Sequence, residues 1–186
     1  MALDTLRYNP KTKSSELPVP FILKYNGRFD LDRLYRKMAA WSMENGFYFE
    51  EKSYKHKVPS PAGAEDEIKW SGWRKITDYF KYHIFVDIYL FDLKDVEVVQ
   101  NGEKKKLVKA RMQIIFRLKL EDDFSGRFTG SQFNEWLRKV YDKYVIKKMR
   151  DVLWEDEIYY QLIKIQTVAK EELDMQAKTN AYYDMW

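Results

Sequence analysis

Residues 78–122 constrain the fold more than any other stretch of the chain. Two long runs in which apolar and polar residues alternate flank Asn101-Gly102, and period-two alternation on either side of Asn-Gly marks an antiparallel hairpin. On the first limb Phe80, Tyr82, Ile84, Val86, Ile88 and Leu90 share one face, against Tyr79, Lys81, His83, Phe85, Asp87 and Tyr89. On the second limb Val108, Ala110, Met112, Ile114, Phe116, Leu118 and Leu120 share a face, against Lys109, Arg111, Gln113, Arg117 and Lys119. Directly opposed residues of an antiparallel pair lie on the same face, so the two apolar sets must meet. A plain two-residue turn at Asn101-Gly102 sets Leu90 against Gln113 and scrambles the faces. The loop must then hold an odd number of residues, or a limb must carry one extra residue, best placed near Phe91-Asp92-Leu93-Lys94 where the alternation falters. A shift of one residue sets Leu90 opposite Ile114, Ile88 opposite Phe116 and Asp87 opposite Arg117, the last an ion pair on the outer face.

The rest of the chain supplies helices and shorter strands. Residues 1–20 hold Pro10, Pro18 and Pro20 among polar residues and read as an extended N-terminal arm. Phe21-Ile22-Leu23-Lys24-Tyr25 predicts a strand closed by Asn26-Gly27. Asp30 is placed as an N-cap, and Leu31, Leu34, Tyr35, Met38 and Trp41 recur at helical spacing, with Gly46 as the stop. Residues 47–58 predict a strand, residues 59–67 a loop ending in an acidic run, and residues 68–76 another strand with Ile68, Trp70 and Ile76 on one side and Trp73 on the other. Gly72 between the tryptophans marks a bend. No Gly or Pro occurs after Gly130, and the apolar stripe from Phe133 to Leu153 predicts a long C-terminal helix capped by Thr129 with Gln132 or by Ser131. Unbroken to residue 175 it would be roughly 65 Å long at 1.5 Å per residue, so it either breaks near residues 154–157 or projects to pack on another chain. The expected fold is α+β: an antiparallel sheet of four to six strands dominated by the hairpin, with an N-terminal amphipathic helix and a long C-terminal helix packed on one face. Residues 21–175 form the single domain and 176–186 a tail.

This order of elements resembles the helix-grip architecture, in which a curved sheet wraps a long helix and encloses an apolar ligand. The resemblance implies a binding module for an apolar small molecule or lipid, although four to six strands are fewer than that architecture holds.

Composition narrows the chemistry. The chain has no cysteine and two histidines, His56 and His83, which excludes disulfides, thiolate metal sites and cysteine nucleophiles; a histidine-based metal site would need both imidazoles plus carboxylates such as Glu50 or Glu51, and nothing in the spacing asks for it. No serine sits in a nucleophile elbow, the glycines form no phosphate-binding loop, and the acidic groups at 92–97 and 155–157 lack calcium-loop spacing. No catalytic residue, metal or cofactor is assigned, and the reading leans away from an enzyme. Neither a secretory signal nor a run of apolar residues of membrane-spanning length is present, and the expectation is a soluble, cytoplasmic protein. Aromatic residues make up 17% of the chain, a share that fills a thick core or leaves Tyr and Trp for an interface. The leading expectation is therefore a structural, assembly or protein–protein interaction module whose partner is itself or another protein. The net charge of +4 is too small to imply nucleic acid by itself, yet Lys104, Lys105 and Lys106 make a basic hairpin tip that allows a nucleic-acid-binding reading, against the alternative that these lysines guard the hairpin from edge-to-edge aggregation. The candidate interaction surface comprises Trp73, Lys81, His83, Asp87, Arg117 and Lys119 on the outer sheet face together with that tip.

Overall fold

The computed structural model describes residues 7–9, 14–16, 20–60, 63–100, 103–126, 131–146 and 155–175. The elements in chain order are β1 (Arg7–Asn9), β2 (Ser14–Glu16), β3 (Phe21–Phe29), α1 (Leu31–Glu44), β4 (Tyr48–Ser60), β5 (Gly63–Lys75), β6 (Phe80–Gln100), β7 (Glu103–Asp122), α2 (Gln132–Tyr141) and α3 (Glu155–Glu172), with a π-turn, Asp142–Ile146, following α2. The fold is α+β. All seven strands belong to one antiparallel sheet of order β1-β2-β7-β6-β5-β4, in which β3 also pairs with β7. Five strands are long, and the other two are three-residue pieces formed within the N-terminal arm.

The hairpin β6–β7 is the spine of the sheet, and its register corrects the expected one. Gln100 opposes Glu103, as a two-residue connection at Asn101-Gly102 requires, although these two residues lie outside the described ones. The extra residue falls between Phe91 and Lys94, where the alternation falters. Because it sits on the first limb it moves the partners the other way from the predicted shift. Leu90 opposes Met112, Ile88 opposes Ile114 and Asp87 opposes Ile115. The bulge residue Asp92 has φ +56°, a left-handed conformation that Asp tolerates better than most residues. Either one-residue shift reunites the apolar faces, so parity alone did not select between them.

On the inner face Tyr82, Ile84, Val86, Ile88 and Leu90 of β6 meet Met112, Ile114, Phe116, Leu118 and Leu120 of β7, all buried. Against this face pack Leu34 and Met38 of α1 and Leu162, Ile165 and Ala169 of α3. Tyr82 has its phenol held well above the usual tyrosine range, first by burial and then by the charge of Glu157. Asp30 caps α1, its Oδ1 accepting the Arg33 amide at 2.9 Å, and Gly46 ends it with φ +74°, as their residue types predict.

Other boundaries moved. β3 runs through Asn26-Gly27 to Phe29 because β7 offers it a continuous ladder from Val108 to Phe116. The acidic run after residue 63 is strand rather than loop, with Ala64 and Asp66 buried. At the C-terminus Ser131 is the cap, its Oγ accepting from the Asn134 amide at 3.1 Å. In place of the expected helix the described residues give α2, passing into the π-turn, and α3 from Glu155; residues 147–154, between the two, lie outside the described ones. The distal half does not project, since α3 supplies Leu162, Ile165 and Ala169 to the core and the turn after it adds Leu173. No described helix is long and apolar enough to cross a membrane.

Candidate functional site

The period of two along β5, β6 and β7 sends Trp73, Lys81, His83, Asp87, Arg117 and Lys119 to the outer face of the sheet, opposite the side packed by α1 and α3. The ladder makes them neighbours. Trp73 opposes His83, and His83 in turn opposes Lys119. Lys81 lies over the Trp73 ring, 4.5 Å from its centroid, and Arg117 lies over Phe85 at 5.7 Å. Arg117 Nη2 donates to Asp87 Oδ2 at 2.6 Å. This ion pair was expected between directly opposed residues, but Arg117 opposes Phe85 and reaches Asp87 along the diagonal, a separation that long side chains bridge. His83 Nε2 stands 2.7 Å from Glu121 Oε2. Burial nevertheless holds the His83 imidazole below its usual pKa, outweighing the upward pull of Glu121, with Lys81 and Lys119 adding to the depression.

The basic tip is separate from this cluster. Lys104, Lys105 and Lys106 are exposed and oppose Val99, Val98 and Glu97. From Lys106 to Arg117 the strand runs about 36 Å at roughly 3.3 Å per residue. The sequence named both groups, but the structure does not bring them into one site.

Three features escaped the sequence reading. The first is a polar network at the inner edge of β4 and β5. The Tyr35 hydroxyl donates to Glu51 Oε2 at 2.5 Å, the Tyr54 hydroxyl donates to Asp66 Oδ2 at 3.0 Å, and His56 Nδ1 is 2.5 Å from Asp66 Oδ1. Burial and the Glu51 carboxylate push the Tyr35 phenol up to about 12, and burial and Asp66 raise that of Tyr54. The network borders a cleft of about 440 Å³ lined by Leu31, Tyr35, Glu51, Tyr54, Ile68 and Lys106 among others. Placing residues 64–67 in a loop concealed it. The second is a cavity of about 350 Å³ on the outer face at β3, β6 and β7, lined by Lys24, Asn26, Phe91, Arg111 and Gln113 among others. Its residues come from three strands, so no local motif reveals them.

The third is helix α2. Its apolar residues recur at three- and four-residue spacing, which predicts a stripe facing the core. Instead no α2 residue is buried. Phe133 is 66% exposed, Trp136 57% and Leu137 39%, and Tyr144 in the following π-turn is 71% exposed. The stripe was legible in the sequence, but its exposure among the described elements was not. Among the described residues no three His, Asp or Glu side chains stand together as metal ligands. No protein-family model and no curated protein matches the chain.

Proposed function

We propose that this protein is a non-enzymatic interaction module that self-associates through α2. The observation that carries the reading is the exposure of Phe133, Trp136 and Leu137 along α2 and of Tyr144 in the π-turn that continues it. A large apolar stripe in water is unfavourable by about 25 cal/mol for each Å² left uncovered, and patches of this kind mark interaction sites. An aromatic side chain offers roughly 150–250 Å², and weighting by these exposures gives on the order of 500 Å² per protomer, or about 1,000 Å² for a pair. That is the lower end of specific interfaces and suits a weak, reversible dimer.

A second copy suits the patch in charge as well as in area. Glu135 lies in the first turn of α2 and Arg138 and Lys139 in its last, so two helices packed antiparallel set acid against base at both ends. Such isologous pairing is the commonest route to a homodimer. The helix-grip alternative has less support, because Tyr82, Phe116, Leu162 and Ile165 are packed in the core and the cleft beside α1 is lined in part by the charged Asp30, Asp32, Glu51 and Lys106.

Sedimentation velocity across a concentration series tests the reading. The wild-type chain should pass from monomer to dimer, whereas Phe133→Ala/Trp136→Ala should stay monomeric with an unchanged circular dichroism spectrum. A wild-type chain that is monomeric up to about 100 µM, where a micromolar dimer is nearly complete, would overturn it.

A further inference from the structure

We propose that the outer face of the sheet, centred on the cavity between β3, β6 and β7, binds single-stranded nucleic acid. This surface is distinct from α2, and the proposal stands independently of self-association.

Two rows of opposed residues cross the three strands there. Phe91 opposes Arg111, which opposes Asn26, and Tyr89 opposes Gln113, which opposes Lys24. Each row offers an aromatic ring, an amide and a cation, the three side-chain types that address a nucleotide. A ring stacks on a base, an amide both donates to and accepts from a base edge, and a cation meets a phosphate. The cavity of about 350 Å³ joining the rows is within the range of small-ligand sites.

Charge extends the site along the sheet. Arg28 of β3 opposes Lys109 of β7, and Lys109 opposes Lys94 of β6. Three like charges set directly across adjacent strands disfavour the pairing, and among the described residues none of the three pairs with a carboxylate. An anion lying across them removes that repulsion. At the other end stand Arg117, held by Asp87 at 2.6 Å, and Lys119, 3.9 Å from Glu16. Among the carboxylates of the face Asp87 pairs with Arg117 at 2.6 Å, Asp92 with Arg111 at 2.5 Å and Glu67 with Lys69 at 2.6 Å, while Glu121 lies 2.7 Å from His83. From Lys109 to Lys119 β7 covers about 34 Å at roughly 3.4 Å per residue, enough for several nucleotides of an extended strand. An open sheet face does not enter a duplex groove, and its rings reach only unpaired bases, so the strand it suits is single.

Fluorescence anisotropy with labelled oligo-dT and oligo-U of about 12 nucleotides tests this, within the range of site sizes seen for groove binders. The full chain should bind both with an affinity that falls steeply with salt. Lys24→Ala/Lys109→Ala, which removes two exposed side chains, should weaken binding at least about tenfold and flatten the salt slope. Phe91→Ala should weaken binding by about tenfold with the slope retained, reporting stacking rather than charge. Lys104→Ala/Lys105→Ala/Lys106→Ala at the tip should bind within about twofold of wild type, as expected of residues outside the phosphate path. Failure to bind at low salt overturns the proposal. So does binding of duplex DNA, heparin or phosphatidylserine vesicles as tightly as the oligonucleotides, or competition by a mononucleotide as effective as by the oligomer. Loss of binding in the tip variant with retention in Lys24→Ala/Lys109→Ala moves the site to the tip and overturns it equally.

Discussion

Gly63→Ala should destabilise the protein by about 2–4 kcal/mol, and the reason lies in the bulge that sets the hairpin register. Gly63 opens β5 with φ +137°, and a Cβ there would lie 2.7 Å from both the Cα and the carbonyl carbon of Asp92 and 3.1 Å from the Leu93 amide nitrogen. These are backbone atoms, so no rotamer change relieves the clash. An L-residue held at that φ costs about 1–3 kcal/mol, and forcing a methyl into a close-packed contact costs about 1–3 kcal/mol more. The reduced freedom of the unfolded alanine chain offsets about 0.4–1 kcal/mol of this. Urea denaturation followed by circular dichroism should give a lower midpoint with an unchanged slope, and the melting temperature should fall by about 5–15 °C for a chain of this size. Asp92→Gly is the companion: it relaxes the residue at φ +56° and gives up an exposed ion pair to Arg111 worth about 0–1 kcal/mol, so it should stay within about 1 kcal/mol of wild type. If Gly63→Ala costs less than about 0.5 kcal/mol, a change typical of surface sites, the close approach of β5 to the bulge is wrong, and the register argument fails with it.

Further outcomes follow from the packing and electrostatics. Leu162→Ala should cost about 2–5 kcal/mol while Tyr160→Ala, 60% exposed, stays within about 0.5 kcal/mol; equal effects in a denaturation series would contradict the docking of α3 in the core. Asp30→Ala should cost about 1 kcal/mol through loss of the α1 cap, read from the urea midpoint. His83 is depressed in the folded state below the 6.5 of the free side chain, so the unfolded chain takes up its proton first. Unfolding free energy should therefore fall as pH drops from about 7 to about 5, and His83→Asn should flatten that part of the melting curve against pH; an unchanged slope refutes the assignment. Arg117→Ala strips the partner from Asp87, whose side chain is 8% exposed, and should cost about 1–3 kcal/mol, more than Asp87→Asn/Arg117→Ala together.

What the sequence determined by itself was local: period, caps and turn chemistry. The alternation around Asn101-Gly102 specified β6 and β7 and which side chains share a face, because a strand sends successive residues to opposite sides whatever surrounds it. Asp30 and Gly46 marked the ends of α1, and Ser131 was one of two candidate caps for α2, because capping depends on neighbouring backbone amides and carbonyls. Trp73, Lys81, His83, Asp87, Arg117 and Lys119 followed as a set from the same periodicity.

Tertiary structure decided what depends on partners distant in the chain. The direction of the register shift rested on Asp92 taking a left-handed conformation against Gly63, a contact between strands that parity does not encode. Asp66 became a buried acceptor for Tyr54 and His56 only because β4 and β5 pair through the acidic run. The rows joining Phe91, Arg111 and Asn26 exist because β3 returns to the far edge of β7. The stripe on α2 reads in sequence like the stripes of α1 and α3, since periodicity records that a face is apolar and not what lies against it. Position in the fold left α2 outside the core, and that placement leaves its apolar face exposed.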